Sequence, residues 1–368
     1  AGFSQNRAPL RILWAHVWYR PKALVMLFSD TGEMDEFITL GHGSGGKLTG
    51  ELIRNIFARR FDMNEPLTDS AVVENDGDET AFTTDSYVVD PPFFPGGNIG
   101  KLAVCGTVND LAVSGAIPRY LSVSFILEEG FSVKKLIEIV ESMAMEAKKA
   151  KVKIVTGDTK VVEKGKCDGI FITTSGTGVV RKGCKDIGTG RLVRPGDKLI
   201  INGAVGNHSI AVMGARKQLS FVSDVVSDCA ALNHLIGKVL DISNAVRFMR
   251  DVTRGGLAAI LNELSDMTGL GIFVDEGNIP VDESVRGLCE MLGFDPLGLA
   301  NEGKVLIVAG VEDAGQILDC LRADEPGKNA SVIGEITEDR VKEVILKTLS
   351  GGNRILDVFS GLQLPRIC

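Results

Sequence analysis

Lys153-Ile154-Val155-Thr156-Gly157-Asp158-Thr159-Lys160-Val161-Val162 reads as one β-strand, rich in β-branched residues and carrying an acid and a base near its centre. Just before it, 132–151 has the apolar period of an amphipathic helix. That helix ends in Lys148, Lys149 and Lys151, as suits the negative pole of its dipole. The segments 120–127 and 169–180 read as further strands. Strand, helix, strand, strand in this order predicts a mixed sheet with packed helices, an α/β chain of the α+β kind. Asp158 and Lys160 are two apart, so they share one strand face. Such a pair suits a metal with a phosphate, or a simple cross-strand ion pair.

Toward the N-terminus, Gly41-His42-Gly43-Ser44-Gly45-Gly46-Lys47 precedes an apolar-periodic helix expected over 48–61. Backbone N–H groups of a Gly-rich turn before a helix can point at phosphate oxygens. The spacing matches neither named phosphate-loop motif, so a plain flexible loop stays open. Strands are expected at 67–73, holding Asp69, and at 81–90, holding Asp85. The stiff loop Pro91-Pro92-Phe93-Phe94-Pro95-Gly96-Gly97-Asn98 leads to a largely apolar helix over 99–114 that carries Asn109-Asp110. A carboxylate in such a helix is costly unless something binds it or that face is wet.

Toward the C-terminus, Pro195-Gly196 marks a boundary. After it a strand (198–202) and helices (208–217 and 228–240) are expected. Asp251-Val252-Thr253-Arg254-Gly255-Gly256-Leu257 opens a helix to about 268 and makes a second corner for cation and phosphate. Ala300-Asn301-Glu302-Gly303-Lys304 enters a strand at 305–309. Strands at 272–275 and 332–336 and helices at 284–292 and 314–321 complete the second half. The expected division is an extension over 1–37, domains over 38–190 and 191–349, and a mobile tail over 350–368.

The 368 residues are 44% hydrophobic and 24% charged, the balance of a globular protein of two domains. A net charge of −8 with no Lys/Arg block argues against nucleic acid or an anionic membrane as the main partner. Seven scattered cysteines without a C-x-x-C pair suggest neither a disulfide framework nor a zinc site, and fit a reducing cytoplasm. The apolar stretch 12–28 is broken by Arg20-Pro21-Lys22, too short to span a membrane. Arg7 and Arg11 ahead of it faintly suggest a signal peptide, but no clear small-residue cleavage site follows. The favoured reading is an extension ahead of a natural start at Met34.

Asp69, Asp85, Asp110, Asp158 and Asp251 each sit among small or apolar residues. Buried together they would repel, and a hard divalent ion such as Mg²⁺ resolves that, usually in company with substrate phosphates. With the glycine loop and Lys160, the sum reads as a nucleoside triphosphate site. The chain closes on Leu364-Pro365-Arg366-Ile367-Cys368. From Gly351 this tail reaches roughly 50–60 Å when extended, enough to carry a thiol into a pocket. A frayed end that happens to finish in Cys is the alternative.

These motifs, with Phe93–Ala103, Val155–Val162 and the Pro-Arg-Ile-Cys terminus, closely resemble the HypE family of hydrogenase maturation carbamoyl dehydratases from about residue 39 onward. That family lies in the superfamily of aminoimidazole ribonucleotide synthetase and selenophosphate synthetase. The resemblance implies a two-domain PurM-like fold, each domain a mixed sheet with helices, a homodimer, and ATP with Mg²⁺. It implies that a carbamoyltransferase, HypF, loads the Cys368 thiol. ATP-driven dehydration then leaves a thiocyanate whose cyanide passes to iron on a HypC–HypD complex. By this resemblance Cys368, Lys160 and Glu302 are catalytic. His42, Gly43, Ser44, Gly45, Gly46, Asn98, Lys101, Asn109, Asp158 and Lys160 bind ATP. Asp69, Asp85, Asp110, Asp158 and Asp251 hold metal. The rivals are a selenophosphate synthetase, a thiamine-monophosphate kinase, or a non-catalytic carrier of a one-carbon unit.

Overall fold

The computed structural model describes Gly41 and residues 46–58, 68–75, 78–216, 223–358, 364 and 366–368. The extension over 1–37 and the glycine-loop residues His42, Gly43, Ser44 and Gly45 lie outside the described residues. The expected helix over 48–61 is a short α1 (Lys47–Leu52) that widens into π-type turns at Ile53–Ala58.

The first half then runs β1 (Ala71–Asn75), β2 (Asp78–Tyr87), the small hairpin β3 (Phe93–Phe94) and β4 (Gly97–Asn98), α2 (Ile99–Val113), β5 (Ala116–Glu128), α3 (Val133–Ala150), β6 (Lys153–Val162) and β7 (Ile170–Val180). Its sheet has the order β1-β2-β7-β5-β6. Only the β5–β6 pair is parallel, as a strand-helix-strand unit requires. Alternation does the sorting. Leu121 and Val123 of β5 and Ile170 and Ile172 of β7 are buried in one cluster with Ile99, Leu102 and Val108 of α2 and Ile139 and Met143 of α3. Lys101 and Asp110 are the residues of α2 that escape full burial, which is why the helix is apolar almost all round.

The other face of this sheet is different. Phe82 of β2, Val179 of β7, and Tyr120 and Ile126 of β5 are exposed large apolar groups on it. Between them Ser86 and Thr173, and Thr84 and Ser175, bond across β2 and β7 at 3.0 Å. β6, at the sheet edge, is exposed through nearly its whole length.

The second half runs β8 (Lys198–Ile201), α4 (Asn207–Gly214), α5 (Asn233–Ile242), β9 (Val246–Asp251), α6 (Gly256–Thr268), β10 (Gly271–Asp275), α7 (Glu283–Leu292), β11 (Val305–Ala309), α8 (Ala314–Arg322), β12 (Ser331–Thr337), β13 (Val344–Lys347) and β14 (Asn353–Ile355). The sheet order is β14-β13-β10-β12-β8-β11-β9, with β10–β13 the parallel pair. Leu257, Leu261 and Leu264 of α6 pack on one side, against Leu199, Ile201 and Leu306. Leu235 and Val239 of α5 and Ile317 and Leu321 of α8 pack on the other, against Ile200, Met249 and Ile307. Central strands β8 and β11 are thus buried on both faces, the reason they read as unbroken apolar runs. Each such side chain contributes about 1.5–3 kcal/mol.

Five strands were not foreseen: β3 and β4 in the stretch expected as a loop, and β9, β13 and β14 in the second half. The expected helix over 228–240 starts later, at Asn233, because residue 228 has another task. The Asp228 carboxylate is buried against Lys304 Nζ at 3.0 Å and accepts from the Glu302 N–H at 3.2 Å. The chains approach so closely there that a Cβ on Gly303 would stand 2.0 Å from the Asp228 carbonyl oxygen. Asn109 of α2 ties this seam to the first half. Its Nδ2 donates to the Ala230 carbonyl at 3.0 Å, and its Oδ1 accepts from the Leu232 N–H at 2.7 Å.

Candidate active site

β2 delivers the first side chains by its period of two. Thr83, Asp85 and Tyr87 point to the α2 side, where Asp110 waits. Asp251 ends β9, and Thr253 and Arg254 form the turn into α6. Asp69 precedes β1, and Glu302 leads into β11. All of them, with Gly46, Arg250, Glu263 and Cys368, line one cavity of about 360 Å³. Four of the five predicted metal carboxylates therefore share one space with the predicted base and the predicted thiol, although they come from distant stretches of chain.

Burial raises the pKa of Asp110 well above the carboxylate range, and Asp85, Asp251 and Asp69 push it further. Asp251 is raised for the same reasons, burial first, then Asp69 and Asp85. Asp69 rises to about 6: burial outweighs the Arg250 guanidinium, whose Nε lies 3.1 Å away. Arg250 itself is held above its usual value, because Asp69 and Glu263 more than offset its burial. Thr83 Oγ1 lies 2.7 Å from Asp110 Oδ2 and 2.9 Å from the Asp69 carbonyl, so a protonated Asp110 lets one hydroxyl serve both contacts. Among the described residues no three acidic, His or Cys side chains already form a ligand cage. The carboxylates line the cavity from several strands and turns, a set of oxygen donors that could hold a hard divalent cation together with phosphates.

The thiol reaches this cavity because the tail is docked. The Val88 N–H donates to the Cys368 carbonyl at 3.0 Å and the Asp90 N–H to the Arg366 carbonyl at 3.1 Å. Arg366 has a left-handed backbone, φ +54°. Its guanidinium donates to the Val88 carbonyl at 2.8 Å, pairs with Asp168 and lies over the Phe171 ring. The expected tail thus has its last three residues packed, with Ile367 buried. The Cys368 thiol is pushed up to about 12, by burial first; Arg254 opposes the shift while Glu302, Asp85 and Asp251 add to it. Burial likewise holds Glu302 well above its ordinary value.

Other expected site residues lie elsewhere. Asp158 and Lys160 bond each other, at 2.6 and 2.8 Å, on exposed β6. Their register partners Ser124 and Ile126 belong to the face of the sheet turned away from α2. One chain therefore does not bring them to Asp110. Asn98 caps α2, accepting from the Gly100 and Lys101 N–H groups and donating to Ser142, and Lys101 Nζ donates to the Gly96 carbonyl. Neither they nor Asn109 line the cavity. Tyr87, Arg250, Arg254 and Glu263 were missed. Arg254 stood in a quoted motif, and its neighbour Asp251 was the signal. Its guanidinium is raised, by Cys368 above all.

The family model for the N-terminal domain of AIR synthase related proteins matches residues 67–180, and that for the C-terminal domain matches 194–347. Carbamoyl dehydratase HypE of Rhodobacter capsulatus is 49% identical over 339 residues, 91% of this chain and 99% of that protein. The chain belongs to the HypE family of carbamoyl dehydratases. It is an enzyme of hydrogenase maturation type. A HypE crystal structure in complex with ATP is 44% identical, with a TM-score of 0.76 over 90% of this chain and all of that one. A HypE–HypF complex structure is 47% identical, with a TM-score of 0.79 over 84% of this chain and 99% of that one. The HypE fold here is the expected PurM-like α/β architecture of two mixed sheets with helices. Among the described residues no helix is long and apolar enough to cross a membrane.

Proposed function

We propose that this chain dehydrates a carbamoyl group on the Cys368 thiol to a thiocyanate, with ATP converted to ADP and phosphate. The observation that carries the reading is the cavity lined by Cys368, Glu302, Arg254 and Asp85, Asp110 and Asp251 together. The carboxamide oxygen attacks the γ-phosphorus, and the bond from that phosphorus to the bridging oxygen of ADP breaks. Oxide, a poor leaving group, has become phosphate. Loss of both N–H protons and of the C–O bond releases phosphate and leaves S–C≡N.

Glu302 takes a proton from nitrogen; its raised pKa makes its carboxylate a stronger base than an exposed Glu. Arg254 holds positive charge beside the reacting group. Asp85, Asp110 and Asp251 would hold Mg²⁺, with Asp69 a further candidate that already meets Arg250. The fit is chemical, since buried carboxylates that raise one another's pKa are what a divalent cation relieves. Bound Mg²⁺ supplies neutralising charge at the phosphates. The glycine loop 43–46 would close over those phosphates.

Asp158 and Lys160 contribute from a second copy. The uncovered apolar and hydroxyl face of the first sheet supports a homodimer through that face, which would carry both residues to the neighbouring site. A division into domains at 38–190 and 191–349 is supported at the first boundary by the two sheets, which fall within 71–180 and 198–355. At the second it moves, because β14 (Asn353–Ile355) pairs with β13 and carries the C-terminal domain into the stretch 350–368 expected as mobile tail. A HypF-type carbamoyltransferase would load the thiol, a reading supported by the complex of that relative. A HypC–HypD type acceptor would receive the cyanide. Seven free cysteines support a reducing cytoplasmic setting.

Intact-mass spectrometry of the loaded protein tests the reading, before and after Mg-ATP. Loss of one water at the C-terminal peptide is the expected outcome. Unchanged mass with ATP consumed favours a carrier. A chain that refuses loading returns the choice to a kinase or selenophosphate synthetase.

A further inference from the structure

His208, on α4, is fully buried and uses both ring nitrogens. Nε2 lies 2.9 Å from the carbonyl oxygen of Ile367, an acceptor only, so Nε2 carries the proton and donates. Nδ1 therefore accepts from the Ser227 hydroxyl, 2.8 Å away. The ring also meets the Phe94 ring edge to face, with centroids 5.4 Å apart. Ser227 is itself tied on two sides. Its hydroxyl accepts from the Cys229 N–H at 3.1 Å, and its own N–H donates to the Pro95 carbonyl at 2.9 Å. The direction of the imidazole is thus held by Ser227 and Phe94, which do not belong to the tail, while the Ile367 carbonyl selects the tautomer.

We infer that His208 is a positioning residue, a fixed buried donor that latches the Ile367 carbonyl and so holds the neighbouring Cys368 thiol in the cavity. The other tail contacts are of a different kind. The Val88 and Asp90 N–H groups are half-buried, Arg216 Nη2 donates to the Arg366 carbonyl at 3.0 Å from a half-buried position, and the Arg366–Asp168 pair is exposed. When the tail leaves, those groups hydrate. His208, by contrast, is fully enclosed while the tail is in, so its bond to Ile367 is made out of reach of competing water. The latch therefore weights the thiol toward the inward position. The inference rests on Cys368 as the substrate arm, and its test measures tail position without turnover.

The experiment is alkylation of the full-length protein by iodoacetamide, with the rate at Cys368 read by peptide mass spectrometry. The pair His208→Asn and His208→Gln separates the two nitrogens. Asn keeps a polar group near Nδ1 and loses the reach to Ile367, while Gln keeps a donor near Nε2. H208N is expected to alkylate at Cys368 roughly tenfold faster, with H208Q near the wild-type rate. Buried Cys105 and Cys229 serve as fold controls and stay slow. A wild-type rate in H208N, or equal acceleration in both variants, overturns the latch. Should H208N unfold, the His208 Nε2 proton is followed by NMR in the native chain and in one ending at residue 363. Slow exchange with solvent in the first and fast exchange in the second is expected. Equal protection in both overturns the inference. Failure of carbamoyl dehydration with Cys368 still protected would instead strike the catalytic reading and leave the latch standing.

Discussion

The Tyr87 hydroxyl donates to Asp85 Oδ2 at 3.0 Å, and it has room to do so because residue 106 of α2 is glycine. A Cβ on Gly106 would stand 2.3 Å from that hydroxyl oxygen. Tyr87 keeps its proton, since burial and then Asp85 and Asp110 hold its pKa well above the ordinary value. Asp85 is therefore aimed by a donor whose position depends on a helix facing it.

Gly106→Ala is expected to destabilise the protein by about 1–3 kcal/mol through overpacking, and to lower ATP turnover as Tyr87 and Asp85 move. Urea unfolding and a steady-state ATPase assay check this. An Ala variant of native stability and activity would show that the contact aims nothing.

Asn109→Ala should cost more than the loss of a cap. It orphans the Ala230 carbonyl and the Leu232 N–H at a buried seam, so about 2–4 kcal/mol is expected. Asn98→Ala removes an N-cap and is expected to cost about 1 kcal/mol with nucleotide affinity little changed. Denaturant curves and ATP titration calorimetry distinguish the two. A large loss of affinity in N98A would return it to the nucleotide site.

The pH response follows from the carboxylates. Asp69 has a folded pKa of about 6, above its ordinary 3.8, so the fold favours the protonated form. That contribution is fully present below 3.8 and is lost as pH rises through 6. Asp110 and Asp251 are displaced in the same direction. A cation must displace these protons, so Mg-ATP is expected to raise the melting temperature more at about pH 7.5 than at about pH 5.5. Differential scanning fluorimetry at the two values is the check, and equal shifts would contradict the grouping of these acids.

Asp158 offers a test of the dimer. If each site joins Asp251 of one copy to Asp158 of the other, then D251N and D158N are each inactive alone. Mixed and re-equilibrated, they should recover about a quarter of wild-type activity, because half the dimers are mixed and each holds one intact site. No recovery, with mixed dimers demonstrated by mass, would sink the shared site.

Much of the fold was legible in local pattern. The bounds of β6 and β11 are those read from sequence, because β-branched runs and unbroken apolar runs mark strands without help from context. β9 was not legible. Val246-Arg247-Phe248-Met249-Arg250-Asp251 carries three charges in six residues, and its burial depends on Asp69 and Glu263 meeting Arg250 from elsewhere. Asn233 begins α5 later than the helical period suggested, since Lys304, some seventy residues on, claims Asp228.

The site divides in the same way. Residue type and motif marked Asp69, Asp85, Asp110, Asp251, Glu302 and Cys368, because an acid among apolar neighbours or a thiol on a long tail is conspicuous in one dimension. That these six line one cavity was decided by sheet order and by the docking of residues 366–368. Asp158 and Lys160 show the limit. Their spacing established that they share a face, and they do, paired with each other. Which face that is depends on which side of β5 and β6 the helices cover, and a period of two carries no such information. Sequence by itself determined the elements and the chemistry available to them. The tertiary structure decided which of those groups meet, because burial and charge are properties of neighbours that the chain order does not name.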